Sequence, residues 1–208
     1  MKNYLPVLII YLISFAYTQT GLFVDKNTSA YSVWGTYEAF IDCEYCKEHK
    51  SFSFAYLTPY NLEFSLSRNI LFNSDSENDI RYNKFGLNYY LDIKGSKTGI
   101  GYSYADILDH GDYSLERGTI SLFSKFNDGL AIQLSVITDD ESDCYYSSWY
   151  PGYYYCDNYS NTYEVISITK LFEINSYVIA IGYNNSADED FFEFDYGKFS
   201  LSIGSIFK

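Results

Sequence analysis

Residues 85–93 read Phe-Gly-Leu-Asn-Tyr-Tyr-Leu-Asp-Ile, with a large apolar side chain at every odd position. Successive side chains of a strand point to opposite faces, so this alternation predicts a β-strand with one apolar face. From residue 30 onward no stretch has the periodicity of a helix. We therefore expect an all-β protein. The same alternation recurs at residues 61–67, 130–136, 177–183 and 199–207.

The composition points the same way. The chain has 208 residues, of which 21% are aromatic, with 25 Tyr and 16 Phe. Aromatic side chains favour the pleated surface of a sheet over a helix. The formal net charge of −13 argues against nucleic-acid binding, which needs a face rich in Lys and Arg.

Residues 1–18 are predicted to be a secretory signal peptide. Lys2 precedes an apolar run at residues 5–16, and polar residues resume at Thr18. The run is shorter than the about 20 apolar residues of a membrane-spanning helix. We expect cleavage between residues 16 and 20, which leaves residues 19–208 as a single exported domain.

Two kinds of connection alternate along the chain. Tight turns are predicted at residues 58–61, 94–97, 127–129 and 173–176, and longer polar loops at residues 42–50, 73–79, 106–112, 139–160 and 184–190. Together they predict ten strands in an up-and-down antiparallel barrel, with eight or twelve strands as alternatives. The predicted strands are 30–41, 51–57, 62–72, 80–93, 98–105, 113–126, 130–138, 161–171, 177–183 and 191–207.

Charge separates the two kinds of connection. The five long loops hold 17 of the 27 acidic residues and only Lys47 and Lys50 among the bases, so we expect one acidic end. They also contain or border all four cysteines, Cys43, Cys46, Cys144 and Cys156. In an exported chain these are expected to form disulfides. Cys144 can pair with Cys156, and Cys43 with Cys46, although crossed pairing stays open.

The direction of the apolar face decides between a soluble barrel and a membrane barrel. Small residues on the polar face, tyrosines near strand ends, and short turns opposite long loops favour lipid outside. The signal segment, the alternating strands and the closing run of residues 199–207, Phe-Ser-Leu-Ser-Ile-Gly-Ser-Ile-Phe, resemble the bacterial outer-membrane β-barrel superfamily, as a small porin-like protein. Members end on an aromatic residue, whereas here Lys208 follows Phe207.

The resemblance implies a transmembrane barrel in the outer membrane of a Gram-negative bacterium, inserted by the barrel-assembly machinery. Ten strands enclose a narrow lumen filled mostly by side chains. This lumen would serve as a narrow pore at most. The residues predicted to line it are Glu63, Lys84, Asn88, Asp92, Gln133 and Ser135.

The long loop between the seventh and eighth strands suggests surface binding. Tyr145, Trp149, Tyr150 and Tyr153 are its binding candidates, because aromatic side chains give large contact area at low rotamer cost. The interpretation we prefer for these aromatic residues is that they pack on neighbouring loops or enter the outer leaflet. Expected partners are outer-membrane lipid and lipopolysaccharide, bridged by divalent cations, and an unidentified extracellular ligand.

Nothing in the sequence identifies a catalytic site. His49 and His110 are the only histidines, and neither has the spacing of acids that an omptin-like protease needs. We predict a non-enzymatic barrel without cofactor or specific metal site. The alternatives are a surface hydrolase, omptin-like or lipid A deacylase-like, and a secreted soluble barrel that binds an apolar ligand.

Overall fold

The computed structural model describes residues 19–25, 27–40, 48–72, 80–93, 96–110, 113–126, 128–146, 154–186 and 197–208. Ten strands account for most of them. These are β1 (Ala30–Phe40), β2 (His49–Leu57), β3 (Leu62–Leu71), β4 (Ile80–Ile93), β5 (Ser96–His110), β6 (Tyr113–Lys125), β7 (Leu130–Tyr146), β8 (Tyr154–Ile174), β9 (Tyr177–Ser186) and β10 (Lys198–Phe207). Among the described residues no helix is long and apolar enough to cross a bilayer.

The ten strands form one closed barrel in which every neighbouring pair is antiparallel. Each strand pairs with the next along the chain, and β1 pairs with β10 to close the sheet. The closing register runs over ten residue pairs, from Tyr31 opposite Phe207 to Phe40 opposite Lys198. The predicted up-and-down barrel of ten strands is confirmed.

The apolar face of the sheet points outward. On β3, Phe64 and Leu66 are 50% and 47% exposed, whereas Glu63, which immediately precedes Phe64, is completely buried. The stretch at residues 85–93 behaves in the same way, with its odd-numbered apolar side chains outside. The interior is mixed, because polar residues in its middle are flanked by buried apolar clusters, one of them around Trp34 and Phe123.

Left-handed backbone conformations mark three of the tight turns. Asn61, Gly129 and Asn175 have φ angles of 62°, 78° and 57°. Glycine and asparagine tolerate this region, so the residues that predicted these turns also explain their geometry. The tight turns and both described chain ends lie at one end of the barrel, called here the turn end, and the long connections lie at the loop end.

The largest difference from the predicted strands lies at the loop end. Residues 139–146 and 154–160, expected to be loop, continue β7 and β8, and residues 106–110 continue β5. Only residues 147–153 of the longest predicted loop lie outside the described residues. The barrel wall therefore rises higher on the side of β5 to β8 than on the side of β1 to β3.

Two glycines at the closing seam give a test of interior packing. A Cβ on Gly204 would lie 2.3 Å from the ring of Trp34, which is completely buried, whereas a Cβ on Gly35 would meet nothing within 4 Å. We expect Gly204→Ala to lower the free energy of unfolding by about 1–3 kcal/mol through overpacking. Gly35→Ala on the outer face should change it by less than about 0.5 kcal/mol. Urea unfolding of the folded barrel measures both, and equal midpoints would contradict the inward position of Gly204.

Candidate functional site

The predicted lumen residues fall into three groups. Glu63, Gln133 and Ser135 are buried in the interior. Lys84 and Asn88 line an interior cavity of about 50 Å³, which is close to the space of one or two water molecules. Asp92 shares their face of β4 but is exposed at the turn end, so it is not enclosed by the barrel.

The N-terminal segment, residues 19–24, occupies the lumen at the turn end. It contains a short 3₁₀ helix, Thr20–Leu22, all of whose residues are buried. The backbone N–H of Gly21 donates a hydrogen bond to Glu63 Oε2 (3.2 Å), and the Gln19 side-chain amide donates one to Gln133 Oε1 (3.0 Å). The segment is thus anchored to opposite walls by two residues of the predicted lumen.

Apolar packing and two lysines also hold residues 19–24 in the lumen. Leu22 and Val24 are 1% and 2% exposed and belong to the apolar cluster at the turn end. The ring of Phe23 lies 5.9 Å from that of Trp34, and the ammonium group of Lys125 lies 4.5 Å above the Phe23 ring. Lys97 donates to the backbone carbonyl of Val24. We call residues 19–24 the plug, because they fill the interior at the turn end.

A buried ion pair lies in the loop half of the lumen. Arg117 donates two hydrogen bonds to Asp139, from Nε to Oδ1 (2.6 Å) and from Nη2 to Oδ2 (2.7 Å), and both side chains are buried. The Tyr163 hydroxyl donates a third to Asp139 Oδ2 (3.3 Å). A bidentate, charge-assisted pair of this kind is among the stronger hydrogen-bonded arrangements in proteins. Arg117 and Asp139 lie directly opposite each other on neighbouring strands, so the pair runs along the wall of the lumen formed by β6 and β7.

His49 belongs to this interior. It is 3% exposed, with Nδ1 3.5 Å from Glu38 Oε2 and Nε2 3.5 Å from the Tyr82 hydroxyl. A buried imidazole held between a carboxylate and a phenol has no surface on which to meet a protein or lipid substrate. The side chain of His110 lies outside the described ones.

The extended ends of β7 and β8 form a hairpin at the loop end. From Val165 inward β8 pairs with β9, but in the described part of the chain residues 154–164 pair with β7 alone. Residues 156–162 are exposed on both faces. At about 3.4 Å per residue, the eleven residues of β8 beyond its pairing with β9 run about 37 Å along the strand. Residues 154–164 and the residues of β7 that pair with them are called here the projecting hairpin.

Charge on the projecting hairpin is entirely acidic. Residues 126–169 contain no Lys, Arg or His. Asp143 lies directly opposite Asp157, and like charges in that position destabilise a strand pair. The next pair is the disulfide Cys144–Cys156, which closes the hairpin one step beyond the two acids.

Several predicted positions lie outside the described residues. Cys43, Cys46, Trp149, Tyr150 and Tyr153 are among them, and Tyr145 has a described backbone only. Within the described ranges no group of three or more His, Cys, Asp or Glu side chains is placed to hold a metal ion.

Comparison with known proteins gives distant similarities to outer-membrane barrels. No family model and no curated protein matches the chain. A KdgM porin shares 9% identity over 85% of this chain and 98% of its own, with a TM-score of 0.41. The Ail protein of Yersinia pestis shares 11% identity over 86% and 97%, with a TM-score of 0.31. Outer membrane phospholipase A from Escherichia coli shares 9% over 94% and 97%, with a TM-score of 0.31.

These three structures differ in what their names say they do, and the similarity is too distant to carry an argument about this chain. The comparisons indicate no narrower family.

The buried ion pair gives a test of the lumen. Arg117→Met should lower the free energy of unfolding by about 3–5 kcal/mol, because it leaves the Asp139 carboxylate buried without its cation. The double variant Arg117→Met/Asp139→Leu should recover most of this loss, since no charge then remains buried. Urea unfolding of the three proteins measures both effects. A double variant no more stable than Arg117→Met would show that the two side chains do not form a pair.

Proposed function

We propose that this protein is an integral β-barrel of the outer membrane of a Gram-negative bacterium. On this proposal it is non-enzymatic, its lumen is closed, and it acts as a scaffold that presents the projecting hairpin at the cell surface. The observation that carries the membrane placement is the continuous band of apolar side chains on the outer face of the barrel.

The apolar band has the extent that lipid requires. Exposed Phe, Leu, Ile, Val and Tyr side chains lie on every strand of the closed sheet. Soluble proteins rarely expose apolar patches above a few hundred Å². A closed sheet leaves no edge unpaired within hydrocarbon, so the band and the closure are compatible with a bilayer together. A soluble barrel with an apolar ligand inside would need the opposite orientation.

The plug and the interior charges support a closed lumen. At the turn end the plug is buried against both walls, and farther along the lumen the Arg117–Asp139 pair adds buried side chains on the wall formed by β6 and β7. Ten strands already leave little interior volume. Of the two roles left open by the sequence, pore and scaffold, these contacts favour the scaffold.

The projecting hairpin supports a role at the surface. Its exposed residues bury little apolar area, and its opposed acids, Asp143 and Asp157, disfavour the fold that contains them. A disulfide nonetheless holds it closed. Such a segment contributes more to recognition than to folding, and the absence of bases in residues 126–169 fits a partner surface that is cationic.

The hydrolase alternative has less support. His49 is buried between Glu38 and Tyr82, away from both the lipid face and the hairpin.

At the end of β10, Phe207 points outward and is 55% exposed, as recognition by the assembly machinery is expected to require, and Lys208 follows it. We keep the barrel-assembly machinery and lipopolysaccharide as the proposed partners in biogenesis and in the membrane.

Membrane placement is tested by reconstitution. Folded protein mixed with preformed phospholipid vesicles should float with them in a density gradient and resist extraction at high salt and high pH, because apolar side chains on its outer face contact the acyl chains. Urea-unfolded protein diluted without lipid is the control and should stay in the lower fractions. Folded protein that remains soluble without lipid or detergent would contradict the proposal.

The plug is tested by conductance. A Cβ on Gly21 would lie 2.3 Å from the Tyr90 ring, so Gly21→Leu should unseat residues 19–24. In planar bilayers we expect the unaltered barrel to be silent and Gly21→Leu to give discrete ion steps. Gly35→Leu adds the same side chain to the lipid face, where a Cβ meets nothing within 4 Å, and should stay silent. Equal conductance in all three proteins would contradict a plugged lumen.

Removal of the projecting hairpin tests whether the barrel needs it to fold. Replacing residues 142–158 with Asn-Gly should leave the barrel folded, with a free energy of unfolding within about 1 kcal/mol of the parent, since exposed surface positions contribute little. Heat-dependent migration in detergent gels and urea unfolding measure this. A variant that cannot fold would mean that the hairpin serves the barrel itself.

A further inference from the structure

The outer face of the barrel carries a compact group of bases at the loop end. Among the described residues, the exposed bases of the loop half are Lys50, Arg68 and Arg81. They lie on three consecutive strands, β2, β3 and β4. The other described bases point into the lumen (Lys84, Arg117, Lys198) or lie at the turn end (Lys97, Lys125, Lys170, Lys208).

Strand register brings the three bases together. Lys50 lies opposite Ile70, and Ile70 lies opposite Arg81, so the two bases flank one residue in a single row. Arg68 lies on the middle strand one outward row below, between Phe52 and Asn83. With strands about 4.8 Å apart and about 6.8 Å between rows, these long side chains can reach a common point above Ile70. We call the three residues the basic sector.

The basic sector lies where the apolar band ends. The next outward row toward the turn end is Phe54, Leu66 and Phe85, which are 43%, 47% and 57% exposed. Lys50 has two aromatic neighbours, with its ammonium group 4.3 Å from the Phe72 ring and 5.7 Å from the ring of Tyr37, its partner on β1. In a barrel that spans a membrane this boundary is the level of the outer-leaflet headgroups.

The opposite charge occupies the same level farther round the barrel. Asp106 pairs with Glu116, and Glu116 pairs with Asp140, so three exposed acids lie side by side on β5, β6 and β7. Asn83, next to Arg68, is the residue opposite Asp106. The rim of the apolar band is therefore divided into a basic part and an acidic part, in a chain whose net charge is −13.

The contacts of Arg68 and Lys50 leave donors for a ligand. Arg68 uses Nη1 to donate to Asn83 Oδ1 (3.0 Å), and a guanidinium group has five N–H donors. Lys50 lies 4.0 Å from Glu48 Oε2, and both side chains are about half exposed, so this ion pair is weak. Arginine binds phosphate with two parallel hydrogen bonds, and lysine binds it as a point charge.

We propose that the basic sector binds the phosphate groups of an acylated glycolipid in the outer leaflet, whose acyl chains lie on the row of Phe54, Leu66 and Phe85. The inference rests on the proposed membrane placement and assigns to it a specific lipid site on β2 to β4. Lys50, Arg68 and Arg81 contact the phosphate oxygens, and the acidic part of the rim keeps such a lipid off β5 to β7.

The test is lipid retention by the full-length barrel folded in neutral detergent. Native mass spectrometry with titrated, phosphorylated deep-rough lipopolysaccharide gives an apparent Kd for the parent. For Arg68→Gln/Arg81→Gln we expect about 25-fold weaker retention, about fivefold for each base removed. Lys170→Gln/Lys208→Gln changes the net charge equally at the turn end and should retain the glycolipid as the parent does.

Three further arms fix the ligand class. The same lipopolysaccharide after enzymatic dephosphorylation should be retained as weakly as by the double arginine variant, and phosphatidylglycerol and inorganic phosphate should also bind weakly. Unchanged glycolipid retention in the arginine variant would overturn the site, and equal retention of phosphatidylglycerol would overturn the glycolipid. Because both arginines are exposed, heat-dependent migration should show a folded variant. Vesicle flotation tests membrane placement separately, so a lost site and a wrong membrane placement give different results.

Discussion

Pairing between β1 and β10 is the contact on which the rest of the structure depends. It satisfies the backbone N–H and C=O groups of the first and last strands, which an open sheet would leave unpaired. Once the sheet is closed, the alternation of side chains has only an inside and an outside. Large apolar residues lie outside and polar residues, together with apolar clusters, lie inside, which gives a barrel suited to lipid. The plug, the ion pair and the basic sector each belong to one of these two faces.

Closure also buries polar groups in the lumen, and other residues of the same chain pair with them. A polar lumen needs partners for its buried groups, because an unpaired one costs free energy. At the turn end the plug supplies them, with the N–H of Gly21 on Glu63 and the Gln19 amide on Gln133. At the loop end Arg117 and Asp139 satisfy each other. The plug, which stabilises the turn end of the interior, also occupies space through which ions would pass.

The outer face and the hairpin show how charge is divided once the barrel is formed. Acids occupy the rim over β5 to β7 and the projecting hairpin, whereas the basic sector faces outward on β2 to β4. The net charge of −13 conceals this division. A lipid phosphate on one side and a cationic partner on the other would meet separate surfaces of one protein, as the proposed scaffold requires.

The sequence by itself determined the ten strands, the alternation of turns and loops, and which residues share a face, because these follow from local periodicity and turn chemistry. It did not predict that residues 139–146 and 154–160 are strand, since neither stretch has an apolar alternation. Nor did it place Asp92 correctly. The alternation along β4 gives the face on which Asp92 lies, but its position along the barrel axis depends on the tilt and stagger of the strands. The plug and the basic sector were decided by tertiary structure alone, because contacts such as Gly21 with Glu63, or the row of Lys50 and Arg81, join residues that only the closed register brings together.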